Sequence, residues 1–356
     1  MIAAISSLVR RMVCMKNLYV LSVIAIALSA ILTPIVKKFA VSIKVMDIPK
    51  DNRRVHKKPM PLLGGLAIYF SFILTLILKT GPLTSSEKGT IIGATIIVIG
   101  GFLDDKFDIK PWQKLLFQLA AAISLMLYGV MIFRITNPAA SSNLYIDVKA
   151  FSIPLTIIWV VGITNALNLI DGLDGLAAGV AFISCITMLI ISLLNSRVEA
   201  AVLTSILAGS ILGFLPYNFN PASIFMGDTG AQLLGFLLAA ISIEGAIKSA
   251  AAFAIAVPIL ALGIPIYDTL FAVIRRKING KPIMQADKGH LHHRLLDMGL
   301  SQKQVVMIMY LISAVLGTFA IIAMQINSQK SYFLLAIVML ILIIIAWKCG
   351  FFKHRG

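Results

Sequence analysis

The chain has 356 residues, 59% of them hydrophobic and 13% charged, with a formal net charge of +16 and a mean hydropathy of +0.95. Soluble domains carry about 25% charged residues, so this balance excludes a water-soluble core and equally a disordered chain. No nucleic-acid partner is indicated, because positive charge on such a chain is accounted for by anionic lipid headgroups, and it also suits an anionic substrate.

A hydrocarbon core of about 30 Å takes roughly 17–25 apolar residues per helix, and about eleven windows approach or reach that length. The expected class is an all-α integral membrane protein with about eleven transmembrane helices in a single domain, 1–356. The runs are continuously apolar, without the alternation of a barrel strand. The first window, 19–36, leads into a basic loop holding Lys37, Lys38, Lys44, Lys50, Arg53, Arg54, Lys57 and Lys58. Windows 63–79 and 89–103 follow. The second of these would span only about 22 Å and stops at Asp104-Asp105-Lys106, which predicts a carboxylate pair slightly recessed at headgroup level. Alone, such a pair is an ordinary membrane-edge feature; it can also bind a divalent ion, or act as a base whose pKa its neighbour raises.

Lys110-Pro111-Trp112-Gln113-Lys114 opens the fourth window, 113–133, with Pro111 suited to a helix start. The loop 134–152 contains turn formers and then Leu-Tyr-Ile-Asp-Val, a short strand candidate. Window 153–170 ends in Asn165, Asn168, Asp171 and Asp174, polar groups at intervals of three, with Gly172 and Gly175 expected to break the helix. Polar groups at such depth are functional by default. Windows 176–194 and 200–217 precede Asn218-Phe-Asn220-Pro-Ala-Ser-Ile-Phe-Met-Gly227-Asp228-Thr229-Gly230. Asp228 reads either as a helix N-cap or as a hard-oxygen ligand for Mg2+, which needs only one or two protein carboxylates plus substrate phosphates.

Window 230–247 is followed by 249–274, where Pro258 and Pro265 predict a kinked or broken ninth helix. The next loop gathers Asp287, His290, His292, His293 and Arg294. No cysteine assists, and two of the histidines are adjacent, which disfavours zinc. A cationic, hydrogen-bond-donating pocket for phosphate is the better reading. Windows 305–324 and 331–347 complete the chain. Cys14, Cys185 and Cys349 have no metal spacing and no assigned role.

An even number of windows separates each polar cluster from the next, so all four open on one membrane face. Short cytoplasmic loops carry the excess of Lys and Arg, and the larger basic share falls on that same face, although Arg10, Arg11 and Lys16 run against the count. The expectation is an active site facing the cytoplasm of a multi-pass protein.

These stretches together resemble the polyprenyl-phosphate N-acetylhexosamine-1-phosphate transferase family. The likeness covers residues 47–65, the Asp104-Asp105-Lys106 segment, Asn168-Leu-Ile-Asp171-Gly-Leu-Asp174-Gly, Phe225-Met-Gly-Asp228-Thr-Gly and Gly289-His290-Leu-His292-His293-Arg294-Leu. Leu291 interrupts the histidines, which resembles the branch using UDP-N-acetylglucosamine to begin teichoic acid or other surface polysaccharides. The resemblance implies that undecaprenyl phosphate attacks the β-phosphorus of that donor and releases UMP, in the plasma membrane of a bacterium. It implies Asp228 as ligand of Mg2+, with Mn2+ a substitute, and Asp104 as the group that deprotonates or positions the lipid phosphate, supported by Asp105. Asn168, Asp171 and Asp174 would shape the nucleotide side, His290, His292, His293 and Arg294 would hold the donor phosphates, and Lys58 and Lys114 would add positive charge. A covalent aspartyl route, a phospho-N-acetylmuramoyl-pentapeptide transferase and, from another class, a secondary transporter are the competing readings. A homodimer fits such enzymes, though no residue argues for one.

Overall fold

The computed structural model describes residues 2–48, 59–136, 145–247, 256–278, 280, 290–326 and 328–348. Helices α1 (Ile2–Ser42), α2 (Gly64–Ile77), α3 (Ser85–Phe107) and α4 (Pro111–Leu127) take the first four apolar windows. Helices α5 (Ser152–Ile170), α6 (Leu176–Leu194), α7 (Val198–Asn218) and α8 (Gly227–Ser242) take the next four. The ninth window holds α9 (Ala256–Ala261) and α10 (Gly263–Ile278), and the last two hold α12 (Gln302–Gln325) and α13 (Ser328–Lys348). A short α11 (Leu291–Asp297) lies between α10 and α12. A 3-10 turn (Lys149–Phe151) precedes α5, a π-helical turn (Ile243–Ile247) continues α8, and there are two antiparallel pairs: β1 (Met46–Asp47) with β2 (Met60–Pro61), and β3 (Arg134–Thr136) with β4 (Tyr145–Asp147). The second pair is the strand expected in the 134–152 loop. Among the described residues five segments are long and apolar enough to cross a membrane: Asn17–Ser42, Lys149–Ile170, Leu176–Leu194, Val198–Asn218 and Gln302–Gln325.

Local chemistry explains where the helices begin and end. Thr84 and Glu87 form a reciprocal cap on α3, which satisfies two otherwise orphaned amides. The helix therefore starts before its apolar window and continues through Phe107. At 23 residues it is about 34 Å long. Asp104 and Asp105 sit in its last helical turn, beyond the apolar window. Helix α4 begins at Pro111 as expected. It stops at Leu127, before the end of its window, because Gly129 turns the chain at φ +82°.

Helix α8 is central. Thr229 through Ser242 are all buried, with α2, α3, α5 and α6 packed around them. Small residues permit the close approach: a Cβ on Gly65 of α2 would lie 2.2 Å from Gly230, and one on Gly101 of α3 would lie 2.5 Å from Thr229. Outside this centre, α1 packs on α2 and α7, while α12 packs on α6 and α9.

The ninth window is broken, as its prolines predict. Pro265 has no N–H for the carbonyl of Ala261, and the Ser184 hydroxyl of α6 donates to that carbonyl at 2.8 Å instead. Pro34 leaves Ala30 in the same condition within α1, and the Tyr217 hydroxyl of α7 donates to it at 3.1 Å. In lipid a freed carbonyl has no water to turn to, so neighbouring hydroxyls supply the missing bond.

Candidate active site

Four helix ends meet at one place. The C-terminal turn of α3 brings Asp104 and Asp105, the first turn of α4 brings Lys114, the end of α5 brings Asn168 and Asp171, and the start of α8 brings Asp228. Lys114 Nζ donates to Asp228 Oδ2 at 2.9 Å and also forms an ion pair with Asp104. Asn168 Nδ2 donates to the other Asp228 oxygen at 2.9 Å. The Asp228 side chain is 31% exposed and that of Asp104 only 3%, so Asp228 is the carboxylate more open to a ligand.

Asp105 has a different place from the one expected. Its Oδ1 accepts from the Asp228 amide at 2.8 Å, and its Oδ2 accepts from the Thr229 amide at 3.0 Å and the Thr229 hydroxyl at 2.6 Å. Both oxygens thus cap the N-terminus of α8, where orphan amides and the helix dipole favour an anion. Gly227 makes this possible: its φ is +71°, and a Cβ there would meet the Asp105 carboxylate at 2.5 Å. Asp105 borders the cavity and is tied to the Asp228 and Thr229 amides, so it holds Asp228 through backbone as well as flanking Asp104.

Asp104, Asp105, Lys114, Asp171 and Asp228 face a cavity of about 1070 Å3, lined also by Asp174, Asn220, Phe225, His293 and Gln302; Asn168 stands behind Asp228 and is not in the lining. Asp174 Oδ2 accepts from Asn220 Nδ2 and from the Ala222 amide, each at 3.0 Å, and Asn220 Nδ2 also donates to Gln302 Oε1 at 2.8 Å. Asp174 therefore ties the α5–α6 turn to the α7–α8 loop and, through Asn220, to α12. The expected breaks at Gly172 and Gly175 are present, Gly175 with φ +77°. Burial, and after it the carboxylates of Asp228, Asp105 and Asp174, push the Asp171 carboxyl up to about 8.

The histidine segment divides. His293 lines the cavity, whereas His290, His292 and Arg294 are buried at 5%, 1% and 6% exposure. His290 Nδ1 is 2.7 Å from Asp268 Oδ2, and the Leu291 amide donates to Asp268 Oδ1 at 2.8 Å, so Asp268 fixes both the ring and the start of α11. His292 stacks beside His290 with ring centroids 5.8 Å apart and packs on Gly172 of the α5–α6 turn. Burial, then the neighbouring His293, push His292 down to about 3; at neutral pH it is uncharged. Of the four residues expected to hold phosphate, His293 meets the cavity, and His290, His292 and Arg294 are buried. Lys58 lies outside the described residues, as does Asp287. No described residue of α9 or α10 lines the cavity; its apolar lining includes Met46, Ile48, Met60, Leu62 and Phe107.

The donor set suits a hard cation. Among the described residues no three His, Cys, Asp or Glu side chains form a ready-made cage. Asp228 and the second oxygen of Asp104, which has no hydrogen-bond partner, offer the one or two carboxylates Mg2+ requires when phosphates complete its shell. Sequence reasoning missed Asp268, Asn220 and Gln302 as site-building residues. A polar residue inside or beside an apolar window was the available signal for each, but its partner is remote in the chain.

Carboxylates, a lysine and a histidine around a roomy cavity at the helix ends define a multi-pass membrane enzyme that handles anionic substrates. Residues 88–246 match the family described as Glycosyl transferase family 4. The chain is 40% identical to the probable undecaprenyl-phosphate N-acetylglucosaminyl 1-phosphate transferase of Bacillus subtilis (strain 168), over 96% of this chain and 94% of that one. It is 34% identical to the decaprenyl-phosphate N-acetylglucosaminephosphotransferase of Mycobacterium leprae (strain TN), over 83% and 81%. It is 32% identical to a phospho-N-acetylmuramoyl-pentapeptide-transferase of Clostridium botulinum (strain Eklund 17B / Type B), over 81% and 88%. The chain belongs to glycosyl transferase family 4, among the polyprenyl-phosphate N-acetylhexosamine-1-phosphate transferases.

Proposed function

We propose that the protein transfers N-acetylglucosamine 1-phosphate from UDP-N-acetylglucosamine to undecaprenyl phosphate, releasing UMP, at the cytoplasmic face of a bacterial plasma membrane. This is the first membrane step of teichoic acid or another surface polysaccharide. The observation that carries the reading is the convergence of Asp104, Lys114, Asn168 and Asp228 from four helices, in a chain 40% identical along almost its whole length to the Bacillus subtilis relative.

A lipid phosphate oxygen forms the new bond to the β-phosphorus, and the bond from that phosphorus to the oxygen bridging the two phosphates breaks, so UMP leaves with the bridging oxygen. Phosphoryl transfer depends on positioning and charge neutralisation. Asp104 orients or deprotonates the lipid phosphate, and Lys114 and His293 offset charge on the two phosphate groups. Asp228, with Asp104 at hand, would hold Mg2+, or Mn2+ in its place, and a cation bound there would supply Lewis-acid stabilisation of charge on the leaving UMP. Asp171, whose carboxyl burial pushes up, would bring less repelling charge to the nucleotide side, which Asn168 and Asp174 help to shape.

The test is UMP release by the purified enzyme in detergent or nanodiscs. Release from UDP-N-acetylglucosamine that requires both undecaprenyl phosphate and Mg2+ supports the reading. Preference for UDP-N-acetylmuramoyl-pentapeptide would replace it with the peptidoglycan reaction. UMP appearing before the lipid is added would indicate a covalent aspartyl route.

A further inference from the structure

Beneath the ion-paired groups lies a second polar layer on the same three helices. Gln118 follows Lys114 by four residues on α4, Gln232 follows Asp228 by four on α8, and Asn165 precedes Asn168 by three on α5. Each is therefore about one helical turn deeper in the bundle than its counterpart. Asn165 Nδ2 donates to Gln118 Oε1 at 2.7 Å, and Gln118 Nε2 donates to Gln232 Oε1 at 3.2 Å and to Asn165 Oδ1 at 3.3 Å. Gln118 and Gln232 are 1% and 2% exposed.

Three side-chain amides in an otherwise apolar interior are costly unless they bond one another. Hydrophobic contact would hold three helices together equally well, but it is non-directional and leaves each helix free to rotate slightly. Amide hydrogen bonds restrict that rotation, and any turn of α4 or α8 at this level swings Lys114 and Asp228 directly above it. Reacting groups need support of this kind to stay within about 0.5 Å of their working geometry.

We propose that Gln118, Asn165 and Gln232 are positioning residues: a buried amide layer that sets the rotation of α4, α5 and α8 and so keeps Lys114, Asn168 and Asp228 convergent for transfer. The proposal rests on the reaction assigned above. None of the three side chains is among those lining the cavity, so the layer acts through the residues above it, chiefly on turnover.

The experiment compares full-length wild type with Gln118→Met, Gln232→Met and the double variant, and with Ser71→Ala as a control. Ser71 belongs to a buried hydroxyl pair with Ser210, 3.0 Å apart, away from the site. Misplacement far from the chemistry can cost about 100-fold, so Gln118→Met should lower kcat by about that factor with the donor KM little changed, and the double variant should add little further. A wild-type kcat in Gln118→Met overturns the proposal, as does a loss no larger than that of Ser71→Ala. Should wild type release no UMP, the assigned reaction fails instead, and thermal unfolding decides on the layer: Lys114→Met and Gln118→Met should shift the midpoint non-additively, because coupled neighbours do not add. Additive shifts would overturn it.

Discussion

Adjacent carboxylates Asp104 and Asp105 do different work because helical geometry points them 100° apart. Asp104 faces Lys114 and the cavity, and Asp105 faces the amides of α8. Asp104→Asn should lower kcat by about 100-fold or more while leaving thermal stability near that of wild type, since a positioned base contributes that much. Asp105→Ala should instead leave two amides and a hydroxyl without their partner. A destabilisation of about 1–3 kcal/mol follows, read as a lower unfolding midpoint alongside lost activity. His292 carries a pH prediction. Its folded value is below its ordinary 6.5, so the unfolded chain binds the extra proton first as pH falls. Stability linked to His292 is complete above about pH 6.5 and declines toward pH 3. His292→Gln should flatten the fall in unfolding midpoint between pH 7 and 5; an equal fall in both proteins would remove His292 as its source. The residue types at these positions were legible in the sequence, but which of two neighbouring aspartates meets the substrate was not, because that depends on where α8 begins in space.

At the scale of elements, two prolines inside membrane helices are accommodated by hydroxyls from other helices. Ser184→Ala and Tyr217→Phe each leave a carbonyl unpartnered, Ala261 in one case and Ala30 in the other. Bonds of this kind within membranes contribute about 0.6–2 kcal/mol, so each variant should unfold at a slightly lower temperature in detergent with kcat nearly unchanged. Ser184→Thr should retain the midpoint. The break in the ninth window could be foreseen from Pro258 and Pro265. The rescue of its carbonyl could not, since Ser184 lies on α6. Caps were more local: Pro111 marked the start of α4 in advance, while the Thr84 and Glu87 cap on α3 was obscured by the polar residues that an apolar window excludes.

Across the whole molecule, the site is closed by ties between parts of the chain far apart in sequence. Asp174 joins the α5–α6 turn to the α7–α8 loop, Asn220 extends the tie to α12, and Asp268 anchors the histidine segment to α10. Asp268→Asn should therefore weaken activity by loosening His290 and the start of α11, by about 10–100-fold if it behaves as other orienting partners do, with rescue absent in Asp268→Ala. Removing divalent cations with a chelator should abolish UMP release, and Mg2+ or Mn2+ should restore it; activity undiminished by chelation would remove the cation from the mechanism.

Hydrophobic runs of membrane length, their separation by polar loops and the spacing of those loops follow from local composition, because the bilayer acts as a solvent on each segment independently. The predominantly helical fold, the broken ninth helix and the set of polar segments that meet were therefore determined by the sequence alone. The division of labour within that set was decided by tertiary structure: Asp105 to a helix cap, His292 to a neutral buried wall, Lys114 between two carboxylates. Each outcome depends on the distance between groups that the chain separates by many residues, and hydrogen bonding and burial act on that distance rather than on residue type.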